Sequence, residues 1–236
     1  MRIRSFIIAY ALVLAILLFA DRRPGSTQPD RYSHVVDLTD GQTATLAQAQ
    51  AAESRTRIIA PATLIPGTWT AGQIPPERLI APLVVLDLNL APEGSPQISL
   101  DDIAAWESHH GAIPQGAVVA IRRTGAHHDV TTDDLAANGR LTNDRLTTSF
   151  PIARDAAMFL IDARYTIGFA VETPVDLTFD RTLALQLALH GSYVVEGAAR
   201  FTALPATGSL VIVAPAKKAI KKPGEAAPVR ILAMVR

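Results

Sequence analysis

Apolar residues recur along the chain in short blocks whose spacing switches between strand and helix periods. Residues 83–90 (LVVLDLNL), 117–122 (AVVAIR) and 166–171 (TIGFAV) are β-branched and leucine-rich runs of strand length. Residues 99–111 (SLDDIAAWESHHG) open on a capping serine and close on glycine, as a short helix does. Residues 152–164 (IARDAAMFLIDAR) set Ala156, Phe159 and Leu160 at helical spacing, and 180–191 (DRTLALQLALHG) read as an apolar helix closed by Gly191. Two more strands, 209–214 (SLVIVA) and 229–235 (VRILAMV), follow one another. Strands alternate with helices in the middle and with strands at the end. This predicts an α/β domain: a mixed sheet with helices packed against it.

One apolar block has neither period. Residues 6–20 carry no charge, follow Arg2 and Arg4, and stop at Asp21, Arg22 and Arg23. This is the basic-then-apolar layout of an export signal. The run is shorter than the roughly 20 residues of a comfortable membrane span. Ala20 suits a cleavage site, whereas Leu18 two positions earlier does not. Residues 1–20 are therefore read as a signal peptide or a membrane-anchor helix, with both readings open. Either way the rest is expected to be exported, periplasmic or anchored facing outward. Residues 21–33, with Pro24, Gly25 and Pro29, read as a linker, and residues 34–236 as one domain.

Composition removes several classes of function. The 236 residues include 22 basic and 22 acidic side chains, so no basic excess favours nucleic acid. Cysteine is absent, which excludes disulfides, thiolate nucleophiles and cysteine-ligated metal. No glycine-rich phosphate loop, dinucleotide fingerprint or G-x-S-x-G elbow occurs. His109 and His110 are neighbours on a predicted helix, about 100° apart, and so make a poor chelate; they suit the negative end of the helix dipole. His127 and His128 follow RRTG in a predicted loop, where both could face a cleft or solvent. His34 and His190 are single residues with no ligand partner at useful spacing.

An ordered series of phrases carries more. VVDLTD (35–40) is followed by TRIIAPATLIPGTWTAGQIPPERLIAPLVVLDL, ISLDDIAAWESHHGAIPQGAVVAIRRTG, FPIARDAAMFLIDARYTIGFAVETP, HGSYVVEGAARFTALP and PGEAAPVRILAMV. Over residues 34–236 the series resembles the cyclase family, metal-dependent hydrolases that include bacterial kynurenine formamidases and isatin hydrolases. The resemblance implies the swivelling β/β/α fold of that family, assembled as a homo-oligomer. It also implies a site: a segment H-x-G-T-H-x-D-x-P-x-H, a later histidine, and a glutamate twelve positions after that. Such a set would hold zinc or manganese, activate a water and move its proton.

On that pattern Thr56 and Pro61 match, and Glu196 matches the glutamate. The histidine positions hold Glu53, Arg57, Thr63 and Ala184, and the aspartate position holds Ile59. Arginine has no lone pair to donate and stays cationic. The resemblance therefore implies the fold without the metal, and no cofactor is expected. A buried carboxylate needs a partner, so Arg57 is expected to pair with Glu196. Trp69, His127 and His128 are candidates for lining a remodelled pocket. The expected role is binding of a small molecule or a protein. The alternatives are a metal-dependent amide or formamide hydrolase, of the arylformamidase type, rebuilt from Glu196, Glu53, His127 and His128, and a structural subunit alongside an active paralogue.

Overall fold

The computed structural model describes residues 32–40, 56–89, 97–124, 139–142, 145–217 and 226–236. The apolar segment 1–20 and most of the linker lie outside them. Among the described residues no helix is long and apolar enough to cross a membrane.

The strands run in chain order as β1 (His34–Asp37), β2 (Arg57–Ile59), β3 (Ile80–Asn89), β4 (Val118–Thr124), β5 (Gly139–Thr142), β6 (Arg145–Thr148), β7 (Gly168–Val171), β8 (Tyr193–Glu196), β9 (Ser209–Pro215) and β10 (Ala227–Val235). Helices are α1 (Pro61–Leu64), α2 (Leu100–His110), α3 (Arg154–Arg164) and α4 (Arg181–Leu189). The five strands and three long helices predicted from periodicity are all present. Periodicity did not reveal β1, β2, β8 or the β5–β6 hairpin, because three or four residues are too few to show a period.

The order β2-β8-β7-β4-β3-β9-β10 closes on itself, since β10 bonds to both β9 and β2. The result is a mixed barrel. Its middle strands β3, β4, β7 and β8 are parallel, and the pairings through β2, β9 and β10 are antiparallel. One edge of β10 is shared: Ala227 and Pro228 pair with β2, and Leu232 to Val235 pair with β1.

Alternation along the strands builds two cores. Ile58, Leu83, Val118, Tyr193 and Ile231 point into the barrel. Ile59, Val84, Val119, Phe169 and Val194 point outward, where Ile103 of α2, Leu160 of α3 and Leu187 of α4 cover them. The parallel strands β7 and β8 are buried on both faces, and for that reason they read as continuous apolar runs. On β10, buried and more exposed residues alternate from end to end.

Local chemistry fixes the helices against this wall. Ser99 and Asp102 form a reciprocal capping box on α2, and Gly111 ends it at φ 83°. The Trp106 indole donates to the Val85 carbonyl at 3.0 Å and ties α2 to β3. His109 and His110 do end α2; the His110 ring meets Trp106 edge-on at 4.6 Å. Asp180 caps α4 by accepting from the Leu183 N–H at 3.0 Å, and Arg154 binds the same carboxylate at 2.6 Å. His190 closes α4, with Nε2 3.2 Å from Asp162.

Arg164 joins α3 to α2 through two bonds to Glu107, 2.7 and 2.8 Å. The Arg164 hydrogen bond holds the Glu107 carboxyl below its ordinary value, against burial, with help from the Ile113 N–H. A depressed folded value means the stabilisation is complete above 4.5 and is lost as pH falls through the lower folded value. Glu107→Gln is expected to cost about 1–2 kcal/mol at neutral pH. The gap to the parent should close as pH falls below 4.5, and urea midpoints measured across pH check this.

Candidate functional site

Strand β2 is three residues long, and its alternation decides what it offers. Ile58 points into the barrel, whereas Arg57 and Ile59 point outward to the helical side. Directly opposite stand Glu196 and Val194 of β8. Side chains of directly opposed residues share a face, with Cβ atoms about 5 Å apart. Arg57 and Glu196 are therefore neighbours by register.

Their side chains nevertheless bond elsewhere. Arg57 sends Nε to the Ala226 carbonyl at 3.1 Å, and Nη2 donates to the same oxygen. Glu196, only 4% exposed, accepts from the Val175 N–H at 3.2 Å. The expected Arg57–Glu196 ion pair is not among the ion pairs of the described residues. The physical reason is the nearby chain before β10. It presents a carbonyl that matches the guanidinium fork, while backbone N–H from the turn after β7 meets the carboxylate. Both groups make further contacts, and neither is unpartnered.

Thr56 anchors this segment. It is fully buried, and its hydroxyl donates to the Gly197 carbonyl and accepts from the Asp40 N–H, each at 2.7 Å. Pro61 occupies the first turn of α1, where its missing N–H costs nothing. α1 carries Thr63 and packs on α4, which carries Ala184. Ile59 lies in the outer core, and Ala184 packs against the same cluster.

The other sequence candidates fall elsewhere. The Trp69 ring lies against Gly191, where an added methyl would meet it at 2.7 Å, and the Arg78 guanidinium stands 5.7 Å from its centroid. Arg78 also caps the end of α4, donating to the His190 and Gly191 carbonyls at 3.2 Å. Gly191 precedes β8 and Glu196 ends it, so Trp69 sits at the opposite end of that strand from Glu196. It packs against Gly191 and Arg78 and is partly exposed. Glu53, His127 and His128 lie outside the described residues.

Sequence reasoning missed the segment after β7. Val175 holds Glu196, and the next residue, Asp176, is buried and lines a cavity of about 280 Å³ with Gln97, Phe150, Leu177, Phe179 and Leu183. Asp176 accepts from the Thr178 N–H at 2.8 Å. The signal was present as two aspartates, 176 and 180, each at a capping distance from the turn that follows.

A closed mixed barrel with three helices on its outer wall, and a buried carboxylate where β8 ends, defines the class of α/β domain to which this chain belongs. The Cyclase family model matches residues 27–175, and the chain belongs to that family. Among solved structures the chain is similar to isatin hydrolase A from Ralstonia solanacearum, with 25% identity, 86% of this chain and 92% of that one covered, and a TM-score of 0.64. An isatin hydrolase bound to the product analogue thioisatinate is 20% identical over 100% and 99% of the two chains, TM-score 0.61, a likeness of fold. A potential metal-dependent hydrolase with cyclase activity is 22% identical over 86% and 98%, TM-score 0.56, again a likeness of fold. No curated protein matches the chain.

The metal that the family implies needs several imidazole or carboxylate ligands converging on one point. Among the described residues the matched positions supply one carboxylate, Glu196, the others being Arg57, Ile59, Thr63 and Ala184. Among the described residues no three histidines or acids form a group that could hold a metal ion. These residues do not fit a divalent metal.

Proposed function

We propose that the chain is an exported cyclase-family domain that binds a small molecule without metal-dependent hydrolysis. The observation that carries this reading is the placement of Arg57 directly opposite Glu196, the one acid at a ligand position among the described residues. A fixed cation raises the energy of a second cation nearby, and Ile59 and Ala184 add no lone pair. Support for binding comes from the cavity beside Asp176, whose volume of about 280 Å³ approaches that of small-ligand pockets, about 300 Å³ and upward. The basic-then-apolar layout of residues 1–23 supports export, and membership of the family supports a homo-oligomer.

The test uses the full chain, purified after expression with added zinc or manganese. Metal content well below one ion per chain is expected, with no turnover of N-formylkynurenine or isatin. Stoichiometric metal together with turnover would establish the other reading, a working hydrolase. Glu196, Glu53 and the His127–His128 pair would then be the first residues to replace.

A further inference from the structure

The barrel is closed most weakly between β2 and β10. Their ladder consists of two residue pairs, Ala227 with Ile58 and Pro228 with Arg57. One of these four residues is proline, which has no N–H to donate. The next backbone bond, from the Val229 N–H to the Thr56 carbonyl, is long at 3.3 Å. By contrast β10 pairs with β9 over six residues, and β3 with β4 over seven. Beyond Pro228, the side chain of Arg57 reaches past the end of the ladder. Its Nε and Nη2 both grip the carbonyl of Ala226, the residue just before β10.

We infer that Arg57 is the latch of this barrel, a side-chain closure of the β2–β10 seam at the point where the backbone ladder is shortest. A bound metal holds together the elements that supply its ligands, and its binding energy becomes folding energy. β2 carries two of the ligand positions that the family resemblance assigns, now Arg57 and Ile59. None of the assigned ligand positions falls on β10, so with or without a metal the β2–β10 ladder rests on two backbone pairs and the guanidinium fork. Planarity is essential to the grip. Two N–H groups converge on one oxygen, a geometry that a lysine ammonium on a flexible stem does not reproduce. The half-buried position of Arg57 strengthens these charge-assisted bonds, which water would otherwise weaken. The inference rests on the metal-free reading above, but it concerns stability rather than ligand binding.

The experiment measures thermal unfolding and hydrogen exchange of the full chain, parent, Arg57→Ala and Arg57→Lys, with EDTA and with added zinc or manganese. The parent midpoint is expected to stay within about 1 °C under all three conditions. Arg57→Ala should melt lower by about 5 °C or more, and Arg57→Lys by most of that amount. In both variants the amides of residues 227 and 229–231 should exchange at least about tenfold faster, while those of 118–121 in β4 keep their protection. If Arg57→Ala does not accumulate, Arg57→Lys decides by the same two readings. Parent-like melting and exchange in the variants would overturn the latch. A metal-dependent rise of the parent midpoint would instead overturn the metal-free reading, in which Arg57 is free of any ligand role. These two failures are distinguishable, because the first is read in the variants and the second in the parent.

Discussion

Gly168→Ala is expected to be among the most destabilising single methyl additions in this chain, costing about 2–3 kcal/mol. Gly168 and Tyr193 are direct partners in the β7–β8 pairing, and both face the barrel interior. A Cβ at Gly168 would clash with the Tyr193 ring, nearest to Cε2 and only 2.7 Å from Cζ and 2.8 Å from Cδ2. The ring has nowhere to go. It is fully buried, and its hydroxyl is tied to the Arg78 carbonyl at 2.9 Å. Burial also pushes the Tyr193 phenol well above its ordinary value, so it remains a neutral donor throughout the usable pH range. The backbone at Gly168 is in the ordinary negative-φ region, so the cost is one of space and not of conformation. A double-mutant cycle with Tyr193→Leu separates the two. Gly168→Ala should cost much less beside leucine than beside tyrosine, a coupling of at least about 1 kcal/mol. Equal cost in both backgrounds, read from urea midpoints, would show that the methyl and the ring do not compete.

The same pair shows what the sequence could and could not convey. TIGFAV announces a strand through its apolar run, and the glycine within it marks a close approach. Nothing in the local sequence says that the approaching group is Tyr193. Strand β8 itself, four residues long, has too few positions to display a period, and it was reached only as a phrase of the family series. The long elements were legible because their apolar faces repeat: 154–164 and 181–189 as helices, 209–215 and 227–235 as strands. Barrel closure was not legible, because it depends on β10 bonding to three other strands along its length. The site was legible by position and not by contact. Matching the family motif brought residues 57, 59 and 196 to one face, and β2–β8 register places them there. The destination of the Arg57 guanidinium is an Ala226 carbonyl far along the chain, and a backbone acceptor leaves no trace in side-chain identity.

Thr56→Val should be at least as damaging, at about 2–4 kcal/mol, although it leaves shape and branching almost unchanged. The hydroxyl joins three segments: it accepts from Asp40 after β1, it donates to Gly197 after β8, and it belongs to the residue that leads into β2. Valine fills the same space and leaves both backbone groups without this partner, the Gly197 carbonyl in a buried position and the Asp40 N–H in a partly buried one. Each such group costs about 1–3 kcal/mol. Thr56→Ser keeps the oxygen and loses a methyl worth about 0.8 kcal/mol, so it should lie close to the parent. Denaturant titration of the three proteins checks the ordering. If valine and serine behave alike, packing and not the hydroxyl holds the junction. The expected ordering also explains which parts of the motif survive in this chain. Thr56 ties strands together and Pro61 starts a helix, and both tasks exist whether or not a metal is present. Positions 57, 59, 63 and 184 would matter to a metal or to the proton it releases. Once that chemistry is not required, they are free to take residues that serve packing and closure, as Ile59, Ala184 and Arg57 do. Retention at one set of positions and replacement at the other is what the proposed metal-free reading predicts.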